Sequence, residues 1–80
     1  MASTSNSRPL NTLIRSVNSD IIVRLKSNHD YQGRMIRCDS YMNIILDKAT
    51  EYNKGKLVAN YGNIFIRGNN ILWIRLLKEL

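Results

Sequence analysis

Hydrophobic positions follow two different periods along the chain. Between residues 9 and 17 they recur every three or four positions, which is the period of one helix face. The positions are Leu10, Leu13, Ile14 and Val17. Pro9 suits a first helical turn, where its missing N–H removes no hydrogen bond. This spacing predicts one short amphipathic helix over about residues 9–17, after a polar, flexible tail of residues 1–7.

After Asn18 the pattern changes to short apolar runs separated by turn residues, which predicts five strands. The runs cover residues 21–26, 31–38, a third that starts with 42–47, then 57–66 and 71–76. Gly33 and Gly62 lie inside the second and fourth runs, where a glycine often marks a sharp bend. The segments between the runs predict turns at residues 28–30, 53–56 and 67–70, the last of them a tight hairpin.

The element order indicates a mainly β fold, in which a short N-terminal helix precedes a five-stranded, strongly bent β-barrel. Eighty residues hold one such domain, which we assign to residues 8–80. The fourth strand has an edge near Ile64, Phe65 and Ile66 that is poorly protected by charge. Pairing with a neighbouring subunit is expected there, and a head-to-tail contact of this kind can close a ring. The alternative is a monomer with a covered edge.

Charge adds a preference for a polyanionic partner. Twelve Lys and Arg residues against six Asp and Glu give a net charge of +6, which favours salt-sensitive binding to nucleic acid. No run approaches the roughly 18 apolar residues of a membrane span, and the polar start lacks the apolar region of a signal peptide. We therefore expect a cytoplasmic protein without a membrane partner.

Residues able to support catalysis are scarce. The chain has one cysteine and one histidine, too few for a zinc site within one chain. Cys38 is predicted to be a small buried hydrophobe and His29 a solvated turn residue. No Ser/His/Asp order, paired-carboxylate site or phosphate-binding glycine loop presents itself in the sequence. We therefore expect no enzyme, no metal and no cofactor.

Two segments carry side chains suited to holding an unpaired base: the first loop, residues 39–43, and the second loop, residues 67–70. The first has the aromatic ring of Tyr41 and the amide of Asn43, and the second has the guanidinium of Arg67 beside Gly68. If the fold brings the loops together, a base can stack between Tyr41 and Arg67 while Asn43 pairs with its edge. Gly68 would permit the positive φ of a tight turn and a close approach of backbone to the nucleotide.

These segments resemble the two motifs of the Sm/LSm family of RNA-binding proteins, most closely the Sm-like proteins of archaea. The first motif is Gly33 in a bent strand, then Asp39-Ser40-Tyr41-Met42-Asn43 before Ile44-Ile45-Leu46. The second is Ile66-Arg67-Gly68-Asn69-Asn70-Ile71, and Arg8-Pro9-Leu10 is similar to the start of the archaeal helix. The resemblance covers about residues 8–76. Many archaeal relatives have His where Tyr41 stands, and Asn69 takes the place of a frequent Asp.

The resemblance implies an SH3-like barrel of the Sm fold, capped by the helix. It also implies a homo-oligomeric ring, usually a heptamer in archaea, closed through the fourth strand of one subunit and the fifth of the next. The ring would bind uridine-rich single-stranded RNA at its pore rim, in RNA processing, chaperoning or ribonucleoprotein assembly, alongside RNA-processing proteins. The RNA-binding residues carried over are Tyr41, Asn43, Arg67, Gly68 and Asn69, and the residues that support the first loop are Asp39 and Met42.

Two other functions are compatible with the same sequence. One is a ring-shaped scaffold of this fold that binds proteins on its outer faces and RNA only weakly. The other is a monomeric basic barrel that binds duplex DNA. A preference for oligo-U over duplex separates the pore-rim site from the duplex-binding barrel.

Overall fold

The computed structural model describes residues 14–77, which form a strongly bent antiparallel sheet. Its strands are β1 (Asp20–Leu25), β2 (His29–Cys38), β3 (Ile44–Asn53), β4 (Lys56–Asn60), β5 (Asn63–Ile66) and β6 (Ile71–Leu76). Their order is β4-β3-β2-β1-β6, and β5 also pairs with β3. The prediction of a mainly β, bent antiparallel barrel is confirmed. The tail of residues 1–7 and most of the helix predicted at 9–17 lie outside the described residues.

The predicted fourth strand is divided into two because β3 bends sharply at its middle. The first half of β3 pairs with β5 and the second half with β4. At the bend, Lys48 adopts a left-handed φ of 52°, and its N–H donates to the Gly62 carbonyl at 2.7 Å. The Tyr61 N–H donates to the Ala49 carbonyl at 2.8 Å. The bend expected at Gly62 is therefore present, and it interrupts the strand.

Gly33 marks a second bend, in β2. The pairing register between β2 and β3 shifts between Gln32 and Arg34. A Cβ atom at Gly33 would lie 2.8 Å from the Asp47 carbonyl oxygen and 3.2 Å from the Ala49 Cα. The two backbones thus come closer than any side chain permits, which confirms the bend predicted there.

The turns agree with the sequence at one position and differ at two. Lys54 and Gly55 have φ of 54° and 79°, the two left-handed residues of a type I′ hairpin turn between β3 and β4. The predicted turn at 28–30 lies two residues earlier, because His29 and Asp30 already pair with β3. Residues 67–70 do not form a hairpin, because β5 pairs with β3 whereas β6 pairs with β1.

The hydrophobic core lies on the concave face of the sheet. Its buried side chains come from inward-facing positions of four of the strands. They are Ile21, Val23, Met35, Ile44, Leu46, Ala49 and Ile66. Val17, from the end of the predicted helical stripe, packs against this cluster, as does the half-buried Cys38. Within residues 14–77 no helix has the length and hydrophobicity to cross a membrane.

The barrel wall is not closed by the described residues. Among them, β6 pairs only with β1, and β4 and β5 pair only with β3. We call these three unpaired edges the open seam. Large apolar side chains are exposed on the seam strands: Leu57, Val58, Phe65 and Leu72. A cavity of about 430 Å³ lies beside β5, bounded by Leu25 and Tyr31.

Substitution of Gly33 tests the bend in β2. Gly33→Ala places a methyl group against the Asp47 carbonyl, and we expect it to lower the free energy of unfolding by about 1–3 kcal/mol. Gly62→Ala is the matched control, since a Cβ there has no neighbour within 4 Å. Urea denaturation followed by the fluorescence of Trp73, the single tryptophan, measures both. Equal stability of the two variants would contradict the role given to Gly33.

Candidate nucleic-acid interface

The first loop is tied together by the carboxylate of Asp39. Its Oδ1 accepts the backbone N–H of Tyr41 at 2.8 Å and that of Asn43 at 3.0 Å. The loop is also closed through its backbone, since the Asp39 N–H donates to the Asn43 carbonyl at 3.1 Å. Met42 adopts a left-handed φ of 65°, and its side chain packs against the core. Tyr41 is thereby held at the tip with its side chain pointing away from the core, 80% exposed.

The second loop is a single 3₁₀ turn, Gly68–Asn70. The Asn70 N–H donates to the Arg67 carbonyl at 3.0 Å, which closes the turn. The Asn70 carbonyl in turn accepts the N–H of Lys26 at 2.9 Å, at the end of β1. This anchor to β1 was not predicted, because nothing in the sequence shows which backbone groups a crossing segment will meet.

The two loops are joined by the side-chain amide of Asn43. Its Oδ1 accepts the Gly68 N–H at 2.8 Å, and its Nδ2 donates to Asp39 Oδ2 at 3.0 Å. Because one end of the amide needs a donor and the other an acceptor, these bonds determine its orientation. One N–H and one oxygen lone pair of the amide are left for a ligand.

Gly68 is required by the closeness of the loops. A Cβ atom at this position would lie 2.0 Å from the Tyr41 carbonyl oxygen, which no side chain could tolerate. The reason given from the sequence was wrong in part: the positive-φ glycine of the described residues is Gly55, not Gly68. The close approach is therefore between the two loops of the protein itself.

The junction leaves a cavity of about 420 Å³ on the protein surface. It is lined by Tyr41, Asn43, Arg67, Gly68 and Asn69, the five residues proposed from the sequence as a binding set. Arg67 forms no ion pair within residues 14–77, so its guanidinium is available to a ligand. The cavity thus combines an aromatic ring, a cation and an oriented amide, which suits a planar, polar, negatively charged ligand.

The electrostatics of the first loop favour an ionised Asp39. Hydrogen bonds from the Asn43 side chain and backbone, and from the Tyr41 N–H, hold the pKa of Asp39 below its usual range. Partial burial, with Asp39 nearby, raises the pKa of the Cys38 thiol. The loop is thus held by a charged acceptor, and the neighbouring thiol stays neutral at physiological pH.

His29 has a different environment from the solvated turn predicted for it. It begins β2, and its Nδ1 lies 2.5 Å from Oε2 of the buried Glu51. Tyr61 donates to the other oxygen of Glu51 at 2.6 Å. These hydrogen bonds, with that of Tyr61 the strongest contributor, hold the pKa of Glu51 below its usual range. No group of three or more potential metal ligands occurs in the part of the chain that the structure describes.

Comparison with known proteins identifies the family and the fold. A family model for the LSM domain matches residues 11–76. The U6 snRNA-associated Sm-like protein LSm6 of Debaryomyces hansenii is 42% identical over 69 residues, covering 86% of this chain and 81% of that protein. The structure of the Pyrococcus abyssii Sm protein in complex with a uridine heptamer superposes with a TM-score of 0.83 at 38% identity, covering 88% and 99% of the two chains. A heptameric archaeal Sm protein gives a TM-score of 0.77 at 28% identity over 85% and 98%.

The bent, open barrel with two interlocked loops defines a class of small SH3-like β-barrel proteins. Within that class, the chain belongs to the LSM family of Sm-like proteins. The resemblance seen in the two sequence motifs is confirmed, and it extends to both archaeal Sm-like proteins and eukaryotic LSm6.

The Asp39 carboxylate predicts a pH dependence of the first loop. Because folding lowers its pKa, the ionised form stabilises the loop at neutral pH, and this contribution is lost as the pH falls through the lowered value. We expect the Asn43 side-chain amide signals in a ¹H–¹⁵N spectrum to stay constant from neutral pH until the pH is below the usual Asp range. In Asp39→Asn these signals should already be shifted at neutral pH and show no such step. A wild-type transition near the ordinary Asp pKa would contradict this assignment.

Proposed function

We propose that this protein is a non-enzymatic, ring-forming RNA-binding protein that holds uridine-rich single-stranded RNA at the rim of its central pore. Processing, chaperoning or assembly of RNA is the role that such a ring would serve. The observation that carries the proposal is the junction of the two loops, in which Asn43 links Asp39 to Gly68 and leaves Tyr41 and Arg67 around one cavity.

The chemistry of the cavity favours one unpaired pyrimidine. A base stacked on an aromatic ring gains roughly 1–3 kcal/mol, and a guanidinium adds cation–π and phosphate attraction. The free N–H and lone pair of Asn43 complement the acceptor and donor that a uracil edge presents side by side. An adenine edge lacks the imide N–H and would need a larger space. The relative from Pyrococcus abyssii was solved in complex with a uridine heptamer, which supports the same ligand here.

Ring assembly is supported by the open seam. Unpaired strand edges with exposed apolar side chains are normally covered in a folded protein. Phe65 is 62% exposed on β5, and Leu72 is 54% exposed at a register irregularity in β6. If β6 of one subunit pairs with the β4–β5 edge of the next, both edges are satisfied and the contact repeats head to tail. The archaeal Sm protein of similar fold is heptameric, so seven subunits are the number we propose.

Two further parts of the proposal come from the sequence. The absence of a catalytic set in the sequence supports a binding function rather than an enzymatic one. A cytoplasmic location also belongs to the proposal, and fractionation of cells followed by immunodetection tests it.

Binding of RNA is tested with fluorescent oligo-U and oligo-A by anisotropy at a fixed, moderate salt concentration. We expect wild type to prefer oligo-U, and Tyr41→Ala with Arg67→Ala to weaken oligo-U binding at least tenfold, about 1.4 kcal/mol, because the stacking surfaces are lost. Arg37→Ala is the matched control for charge, since Arg37 is exposed on β2, outside both the cavity and the open seam. Equal binding of both oligomers by all variants would instead favour the scaffold function.

Assembly is tested by native mass spectrometry. Phe65→Glu introduces a charge on the open seam, and we expect the ring mass to be replaced by monomers and small oligomers because the buried charge would lack a partner. Tyr41→Ala, in the first loop, should leave the ring mass unchanged. A full ring in Phe65→Glu would show that β5 lies outside the subunit contact.

A further inference from the structure

The cations of this protein differ in whether a carboxylate neutralises them. Arg24 donates two hydrogen bonds to Asp30, at 2.5 and 2.9 Å, and Arg34 lies 3.5 Å from Asp47. The lysines at the end of the barrel that holds the two hairpin turns are not paired in this way. Three exposed lysines lie there, and none of them forms an ion pair within residues 14–77: Lys26, Lys54 and Lys56. We call these three lysines the basic end.

Strand pairing makes the basic end one continuous surface. Lys26 begins the turn between β1 and β2, whereas Lys54 and Lys56 belong to the turn between β3 and β4. These two turns are neighbours, because His29 at the start of β2 pairs directly with Asn53 at the end of β3.

The same surface is continuous with the base-binding cavity. The backbone N–H of Lys26 donates to the carbonyl of Asn70 at 2.9 Å, and Asn70 closes the turn that begins after Arg67. A path therefore leads from Arg67 along the second loop to Lys26, and from there to Lys54 and Lys56.

The carboxylates near this path are already engaged. Glu51 is buried and accepts hydrogen bonds from His29 and Tyr61, and Asp30 is held by Arg24. Lysines that lack a protein carboxylate are free to attract an external anion, and a row of them suits a ligand with repeated negative charges.

We propose that the basic end binds the phosphates of the RNA strand where it leaves the pore-rim site, and so forms an exit track on each subunit. This inference rests on the proposed function, because it needs RNA in the pore. Continuity with Arg67 favours the same RNA strand over a separate acidic protein. Pore-rim cavities read the bases, whereas the basic end contacts only the backbone and extends the bound length of RNA.

The test compares a uridine heptamer with a longer oligo-U of about 20 nucleotides, which extends beyond one nucleotide per subunit. The variant Lys26→Gln, Lys54→Gln, Lys56→Gln removes the basic end. The matched control, Arg15→Gln, Arg37→Gln, Lys48→Gln, removes three exposed cations that lie outside both the basic end and the open seam. It includes Lys48, which has a left-handed backbone as Lys54 does. Native mass spectrometry first establishes that both variants form the wild-type assembly.

We expect the basic-end variant to bind the heptamer within about twofold of wild type and the longer oligomer roughly tenfold more weakly. Loss of three phosphate contacts should also reduce the slope of log K against log salt for the longer oligomer by roughly 2, at about 0.7 per contact. The control variant should change the affinity for the longer oligomer and the salt slope by less than the basic-end variant does.

Three results would overturn the track. One is equal weakening of the longer oligomer by both variants, which would mean that the lysines act only through the general field. Another is a basic-end variant that binds the longer oligomer as wild type does, which would leave an acidic protein as the better partner. The third is a loss of heptamer binding as large as that of the longer oligomer. If the wild-type protein binds neither oligomer, the proposed function itself fails. This outcome is distinguished from failure of the track because it needs only the wild-type measurement.

Discussion

The side-chain amide of Asn43 is the contact on which the site depends. It receives the Gly68 N–H on its oxygen and gives a hydrogen from its nitrogen to Asp39, so that two loops 25 residues apart in the chain share one group. Both partners have defined polarity, one a donor and the other an ionised acceptor, which leaves the amide one orientation. Whatever these loops bind therefore meets a preformed surface, and little ordering is required at the moment of binding.

The missing side chain of Gly68 is the steric half of the same constraint. The second loop lies so close to the Tyr41 carbonyl that a methyl group would overlap it. Gly33 has a corresponding role in the barrel, where β2 passes the backbone of β3. At both positions glycine is needed because two backbone segments come into close contact, and not because φ is positive. The bends and the loop junction are linked, because the sharp curvature of β2 and β3 brings the two loops together at one side of the barrel.

The curvature also explains why the barrel is incomplete. β3 bends at Lys48 and divides its partner into β4 and β5, and the turn at Gly68–Asn70 then carries the chain across to β1 instead of back along β5. The crossing leaves apolar side chains such as Phe65 on an unpaired edge. The open edge and the preformed loop junction are thus two consequences of one topology. If copies of the chain assembled through the open edges, the loop junction would be repeated around the axis of the assembly.

The sequence alone determined the class of fold and the chemistry of the loops, because alternating apolar runs, turn residues and the two motifs are local features. It also identified the five residues that line the cavity, which are Tyr41, Asn43, Arg67, Gly68 and Asn69. Several outcomes depended on the tertiary structure. Two of them are the division of the fourth strand at Gly62 and the crossing at residues 67–70, since pairing partners are set by strands far away in the chain. The pairing of His29 with Glu51 was also hidden, because it joins residues 22 positions apart. Glycine at position 68 could be read from the sequence, but its reason could not, because only the folded chain brings the Tyr41 carbonyl against it.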